Sequence, residues 1–165
     1  MRSLLRRESL RLAEATLEQT LETLVAFLRA ERFAVVTYDA ALSRIVDPDL
    51  RDELGRLRLS HAARALILGE RVREFGGPGM ADGEAQPAPW GAFAPACLRL
   101  GAARGDREVL AALREGESWA LRDYELDLQD VETHLRRQLL RILLGEQRRT
   151  RGRLLRLAAR AGTRV

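Results

Sequence analysis

Four ionisable residues stand where apolar core side chains belong: Glu31, His61, Glu117 and Glu146. Each interrupts a helical stripe of leucines, valines and alanines near the middle of its segment. Leu28, Glu31 and Val35 are successive positions of one stripe, and Leu113, Glu117 and Leu121 of another. A carboxylate buried alone is costly and either takes up a proton or acquires a cationic partner. Three carboxylates and an imidazole meeting at one level would suit iron, manganese or zinc. They would equally suit arginine, whose planar fork pairs with carboxylates through two parallel bonds. The metal-free arginine–carboxylate network is the preferred expectation, ahead of one bound metal ion and of two. Tyr38 and Tyr124 each follow a stripe glutamate by seven residues. Each is a redox-active group, a hydrogen-bond partner of the site or, as preferred, a core tyrosine with a satisfied hydroxyl.

The segments that carry these residues are helical by period. Leu17, Leu21, Leu24, Leu28, Val35, Tyr38, Leu42 and Ile45 step by three, four and seven, which predicts a helix over 17–46. Asp47-Pro48-Asp49 ends it, and Asp47 can cap a second helix over 48–75 with Pro48 in its first turn. The stripe there is Leu50, Leu54, Leu57, His61, Ala65, Leu68, Val72 and Phe75. GGPGMADGEAQPAPWG, residues 76–91, reads as a crossover loop, followed by a short helix over 95–103. Trp90 and Phe93 are expected to plug one end of the molecule or cover a dimer face, and Trp119 to face away from the site, as an interface anchor or in a groove between helices. Asp106 is expected to cap a third main helix to about Asp127, and Asp130 a fourth with the stripe Leu135, Leu139, Ile142, Glu146, Leu154, Leu157. His134 is expected at the surface.

Four amphipathic helices joined tightly in pairs, with a longer link between the pairs, predict an all-α antiparallel four-helix bundle. The expected layout is an N-terminal helical extension over 1–16, the bundle over 17–160 and a tail over 161–165.

Composition agrees with one helical domain. The chain has 165 residues, 46% hydrophobic and only 5% aromatic, rich in helix-forming leucine, alanine, arginine and glutamate. All 28 basic residues are arginine; 24 acidic residues leave a net charge of only +4, so the pI near 10.4 overstates the basicity. Cys97 is the sole cysteine, so no internal disulfide forms. With no signal-peptide pattern at the N-terminus, this points to the cytoplasm. No apolar run approaches the ~20 residues that span a bilayer. Nucleophile elbows, phosphate-binding loops, dinucleotide glycine patterns and Cys/His zinc spacings are missing. The arginine-rich segment RRTRGRLLRLAARAGTRV, residues 148–165, could meet phosphates; without interleaved aromatics it argues against specific nucleic-acid binding.

Five stretches carry a family resemblance. Ferritin-like di-iron carboxylate bundles use one Glu from each of two helices and a Glu-x-x-His pair from each of the other two. Glu31 and Glu117 fit the first requirement. Arg58-Leu59-Ser60-His61 carries Arg in place of the Glu, and Glu146-Gln147-Arg148-Arg149 carries Arg in place of the His. VLAALREGESWALRDYELDL (109–128), the DPDL joint and GAFAPACLRLGAARGDREVL (91–110) also resemble a bacterial ferritin-like family, domain of unknown function 2383. The resemblance implies a ferritin-like bundle with a short extra helix in the crossover, and a degenerate di-iron site in which Arg58 and Arg149 replace ligands. The expected role is non-catalytic, through assembly as a homo-oligomer or through an unidentified protein partner, with no cofactor. The alternatives are an iron- or manganese-binding, oxidase-like stress protein using Glu31, His61, Glu117 and Glu146, and a basic C-terminal interaction module.

Overall fold

The computed structural model describes the backbone of residues 2–77 and 91–163, with side chains for 15–77 and 91–161. Its helices are α1 (Arg2–Leu42), α2 (Pro48–Glu74), α3 (Ala94–Ala102), α4 (Asp106–Asp127), α5 (Thr133–Leu139) and α6 (Gly145–Thr163). A π-helical turn, Leu140–Leu144, joins α5 to α6, so the two form one continuous fourth rod. Residues 2–16 continue α1 without a break, and most of the crossover loop, with Trp90, lies outside the described residues.

The joints show why the chain turns where it does. Asp47 accepts from the N–H groups of Asp49 (2.8 Å) and Leu50 (3.2 Å), with Pro48 in the first turn of α2, as expected. Asp106 does something other than cap its own helix. Its carboxylate accepts from Val46 N (2.9 Å) and Asp47 N (3.0 Å), stitching the α1–α2 joint to the start of α4. The residue before α4 is Gly105 at φ +103°, a conformation that side-chain-bearing residues rarely adopt. Asp130 does not cap the fourth rod either. A 3₁₀ turn over Leu128–Asp130 and the extended, buried Val131 carry the chain further, and Glu132 caps α5 by accepting from His134 N and Leu135 N.

Contacts along the helices fix their directions. Glu31 meets Arg64 and Asp39 meets Arg58, so α1 and α2 are antiparallel. Ser118 meets Arg151 and Glu125 meets Arg148, so α4 and α6 are antiparallel. Two hairpins therefore pack into an all-α bundle whose core falls into two apolar clusters. One gathers Phe33, Tyr38, Leu54, Leu57, Phe93, Leu110, Leu113 and Leu154. The other gathers Leu24, Leu28, Leu68, Val72, Tyr124, Leu135, Leu139 and Leu143. Between them lies a single layer of buried polar side chains.

Phe93 enters this core rather than plugging the end of the bundle. Its ring meets the His61 ring edge-on, with centroids 5.3 Å apart at 86°. It fits because Gly116 opposite has no side chain: a Cβ there would stand 2.5 Å from the Phe93 ring. Gly116→Ala should therefore destabilise the fold by about 1–3 kcal/mol through overpacking, read from urea denaturation.

A buried ionic layer in the bundle core

The polar layer is built from six side chains, all nearly excluded from solvent: Glu31 on α1, His61 and Arg64 on α2, Glu117 on α4, Gln147 and Thr150 on α6. On α2 and α6 the inward residues are spaced i, i+3, which places both members of each pair on one helical face. Three of the four ionisable residues expected at the site, Glu31, His61 and Glu117, meet here. The fourth, Glu146, does not.

His61 bridges the two carboxylates. Its Nδ1 lies 2.7 Å from Glu31 Oε2 and its Nε2 2.9 Å from Glu117 Oε1. Arg64 enters the same space. Its Nε donates to Glu31 Oε1 (2.8 Å) and its Nη2 to Gln147 Oε1 (3.0 Å), while Nη2 lies 2.7 Å from His61 Nδ1. Its Nη1 donates to Ser60 Oγ (3.0 Å) and Thr150 Oγ1 (3.2 Å). Gln147 Nε2 donates to Glu117 Oε2 (2.6 Å) and to the Glu117 carbonyl (3.1 Å). The two tyrosines complete the set reciprocally. Tyr124 on α4 donates to Glu31 of α1 (2.5 Å), and Tyr38 on α1 donates to Glu117 of α4. Both tyrosines are buried in the core, and the carboxylates of Glu117 and Glu31 satisfy their hydroxyls.

Every carboxylate oxygen of the layer thus accepts at least one hydrogen bond. The charges also balance when His61 is an imidazolium, since two carboxylates then face one guanidinium and one imidazolium. Burial alone would push His61 below its ordinary value; the carboxylates of Glu31 and Glu117 overcome this against the opposing charge of Arg64 and leave it raised. Burial likewise pushes the Glu31 carboxyl up, but Arg64 and His61 beside it bring it from an ordinary 4.5 to about 2. Burial and the neighbouring carboxylates push both tyrosines well above their usual range, so they act as donors.

Both arginines expected at the site lie elsewhere. Arg58 forks onto Asp39 at the surface, Nε to Oδ1 at 2.8 Å and Nη2 to Oδ2 at 3.1 Å. Arg149 pairs with Glu146 on the outer side of α6. The π turn is the reason for the shift on the fourth rod. It adds a residue to one turn, so Leu143 rather than Ile142 faces the core, and Gln147 rather than Glu146 reaches the layer. Reading the stripe backwards from Leu157 and Leu154 gives Thr150, Gln147 and Leu143, the signal in the sequence that finds it. Arg64 also stands at a stripe position, three residues from His61 and one turn from Leu68, where a long cationic side chain ordinarily reaches solvent. His134 is exposed, and Trp119 faces away from the layer under the Arg122 guanidinium, 5.4 Å from its ring centre.

As a place for a metal ion the layer is poorly furnished. Its acceptor oxygens are engaged by protein donors, and a fixed positive charge stands among them. Among the described residues, no group of three or more His, Cys, Asp or Glu side chains is arranged to hold a metal ion.

The fold itself is that of ferritin-like bundles. The chain is similar to a ferritin-like, diiron-carboxylate protein of Bacillus anthracis str. Ames, with a TM-score of 0.64 and 18% sequence identity, over 87% of this chain and 97% of that one. No protein-family model and no curated protein matches the chain, so the narrower resemblance to domain of unknown function 2383 has no family match behind it. No helix among the described residues is long and apolar enough to cross a membrane.

Two outcomes are expected. Arg64→Ala leaves buried carboxylates without their cation and should cost about 3–5 kcal/mol, whereas Arg58→Ala, at the surface, should cost less than about 1 kcal/mol; urea denaturation of both variants checks this. The second concerns pH. The depressed Glu31 contributes stability in full above 4.5, and this is lost as pH falls towards about 2. The raised His61 contributes in full below its ordinary 6.5, and this is lost as pH rises through its raised value. The urea midpoint should therefore peak between these limits and fall on both sides.

Proposed function

We propose that this chain is a ferritin-like bundle protein whose di-iron site has degenerated into a metal-free ionic layer, and that it acts through assembly or partner binding rather than catalysis. The observation that carries the reading is Arg64, whose guanidinium stands among Glu31, His61 and Gln147 at the level where metal ions would be bridged. A di-iron site needs six ligands: two single glutamates and two Glu-x-x-His pairs. Glu31 and Glu117 fit the single positions. At the pairs stand His61-x-x-Arg64 and Gln147-x-x-Thr150, so an imidazole and an amide replace the two carboxylates, and a guanidinium and a hydroxyl replace the two imidazoles. The replacements are mutually consistent, since Arg64 supplies charge that the absent metal ions would have brought. The residues present do not fit a di-iron centre.

Outward apolar residues support a role in assembly. Leu59 and Leu66 on α2, and Trp119 and Leu126 on α4, are spaced seven apart and exposed. The second reading, an iron- or manganese-binding oxidase-like protein, is favoured only by the convergence of Glu31, His61 and Glu117. It requires Arg64 to leave Glu31, Ser60, Gln147 and Thr150, and Glu146 to come inward from its pair with Arg149.

Metal analysis of protein purified from iron- and manganese-supplemented cells separates the two. The expected content is far below one ion per chain. Near-stoichiometric metal that disappears in Glu117→Ala would overturn the metal-free reading.

A further inference from the structure

Beyond the ionic layer, a second feature lies on the outer side of the same level. Along the α2–α6 seam the two hairpins meet less closely than the helices within each hairpin. The gap is a cleft of about 540 Å³, lined by Arg56, Arg148, Arg149, Arg153 and Arg156, by Glu146, and by Ser60 and Thr150. Five arginines thus line the cleft, against one carboxylate. Including the acids just outside, the pairing is still incomplete. Glu53 serves both Arg56 and Arg153, Glu125 serves Arg148, and Glu146 serves Arg149. Three carboxylates face five guanidiniums, and among the described residues no carboxylate pairs with Arg156. Its side chain lies against Gly152, with Nη1 3.6 Å from where a Gly152 Cβ would stand, an ordinary contact distance.

The floor is built rather than incidental. Ser60 and the buried Thr150 both accept from Arg64 Nη1, which holds their oxygens from behind. Thr150 sends its own proton to the Glu146 carbonyl (2.9 Å). Ser60 has accepted from Arg64, and its proton remains to be donated toward the cleft. Guanidinium forks around a hydroxyl donor match tetrahedral oxyanions carrying more than one charge. The volume is that of a small-molecule site. No aromatic residue lines it, so nothing is provided for stacking a nucleobase.

We propose that the α2–α6 cleft binds a small, multiply charged phosphate-class anion through Arg149, Arg153 and Arg156, with Ser60 donating from the floor. The binding goes beyond the metal-free reading of the core and does not depend on it.

The test is isothermal titration of the full chain with inorganic pyrophosphate, alongside a DNA oligonucleotide and phosphatidylglycerol vesicles. Saturable one-to-one pyrophosphate binding is expected. It should weaken roughly tenfold or more in Arg156→Ala, the loss of one charge-assisted hydrogen bond. It should weaken less in Ser60→Ala and stay unchanged in Arg107→Ala, an exposed arginine on α4 away from the cleft. Circular dichroism confirms that each variant is folded. No saturable binding would overturn the proposal, as would equal weakening by Arg107→Ala, which signals diffuse charge. Oligonucleotide or vesicle binding that pyrophosphate fails to displace would also overturn it, assigning the cleft to a polyanion or a lipid surface.

Discussion

Two carboxylates lie in the centre of a helical core, and the rest of the layer follows from the need to compensate them. Glu31 and Glu117 are almost wholly excluded from water. Unpartnered, each would carry a large desolvation cost or take up a proton. The chain supplies a guanidinium, an imidazole between the carboxylates, two phenol hydroxyls and an amide. Removing one member does more than delete a contact, because it strands the charges that the member neutralised.

The layer also ties the helices into one register. Tyr38 and Glu31 on α1 exchange partners with Glu117 and Tyr124 on α4, each pair two helical turns apart. This crossed pairing holds only when α1 and α4 run antiparallel at one relative height. Gln147 spans from Arg64 on α2 to Glu117 on α4, so the second hairpin is fixed against the first. Apolar packing above and below tolerates small slips along the helix axes; directional bonds in the layer do not. Stability comes mainly from the two apolar clusters, and the layer selects among ways of packing them.

The bundle and half of the layer's six side chains are legible in the sequence, for a physical reason. Periodicity reports which face of a helix is buried, so a Glu or His within a leucine stripe announces itself, as Glu31, His61 and Glu117 did. Two departures lay beyond a fixed period of 3.6. The π turn over Leu140–Leu144 rotates the fourth rod, which exchanged Glu146 for Gln147. Arg64 escaped because a long cationic side chain on a helix ordinarily reaches solvent, and only its three-dimensional partners show that this one does not. Arg58 followed the opposite course: it completes the expected spacing with His61, yet Asp39 holds it at the surface. The joints follow the same rule. Asp47 was readable as a cap because its partners lie two and three residues away, whereas the partners of Asp106 are about sixty residues distant.

The central claim is that a guanidinium, that of Arg64, compensates the buried carboxylates in the middle of the bundle. Anomalous diffraction at the iron edge, from crystals grown with excess ferrous iron, tests it most directly. The account predicts continuous Arg64 density among Glu31, His61 and Gln147, and no anomalous peak at that level of the bundle. An anomalous peak bridged by Glu31, His61 and Glu117, with Arg64 turned away, would contradict it.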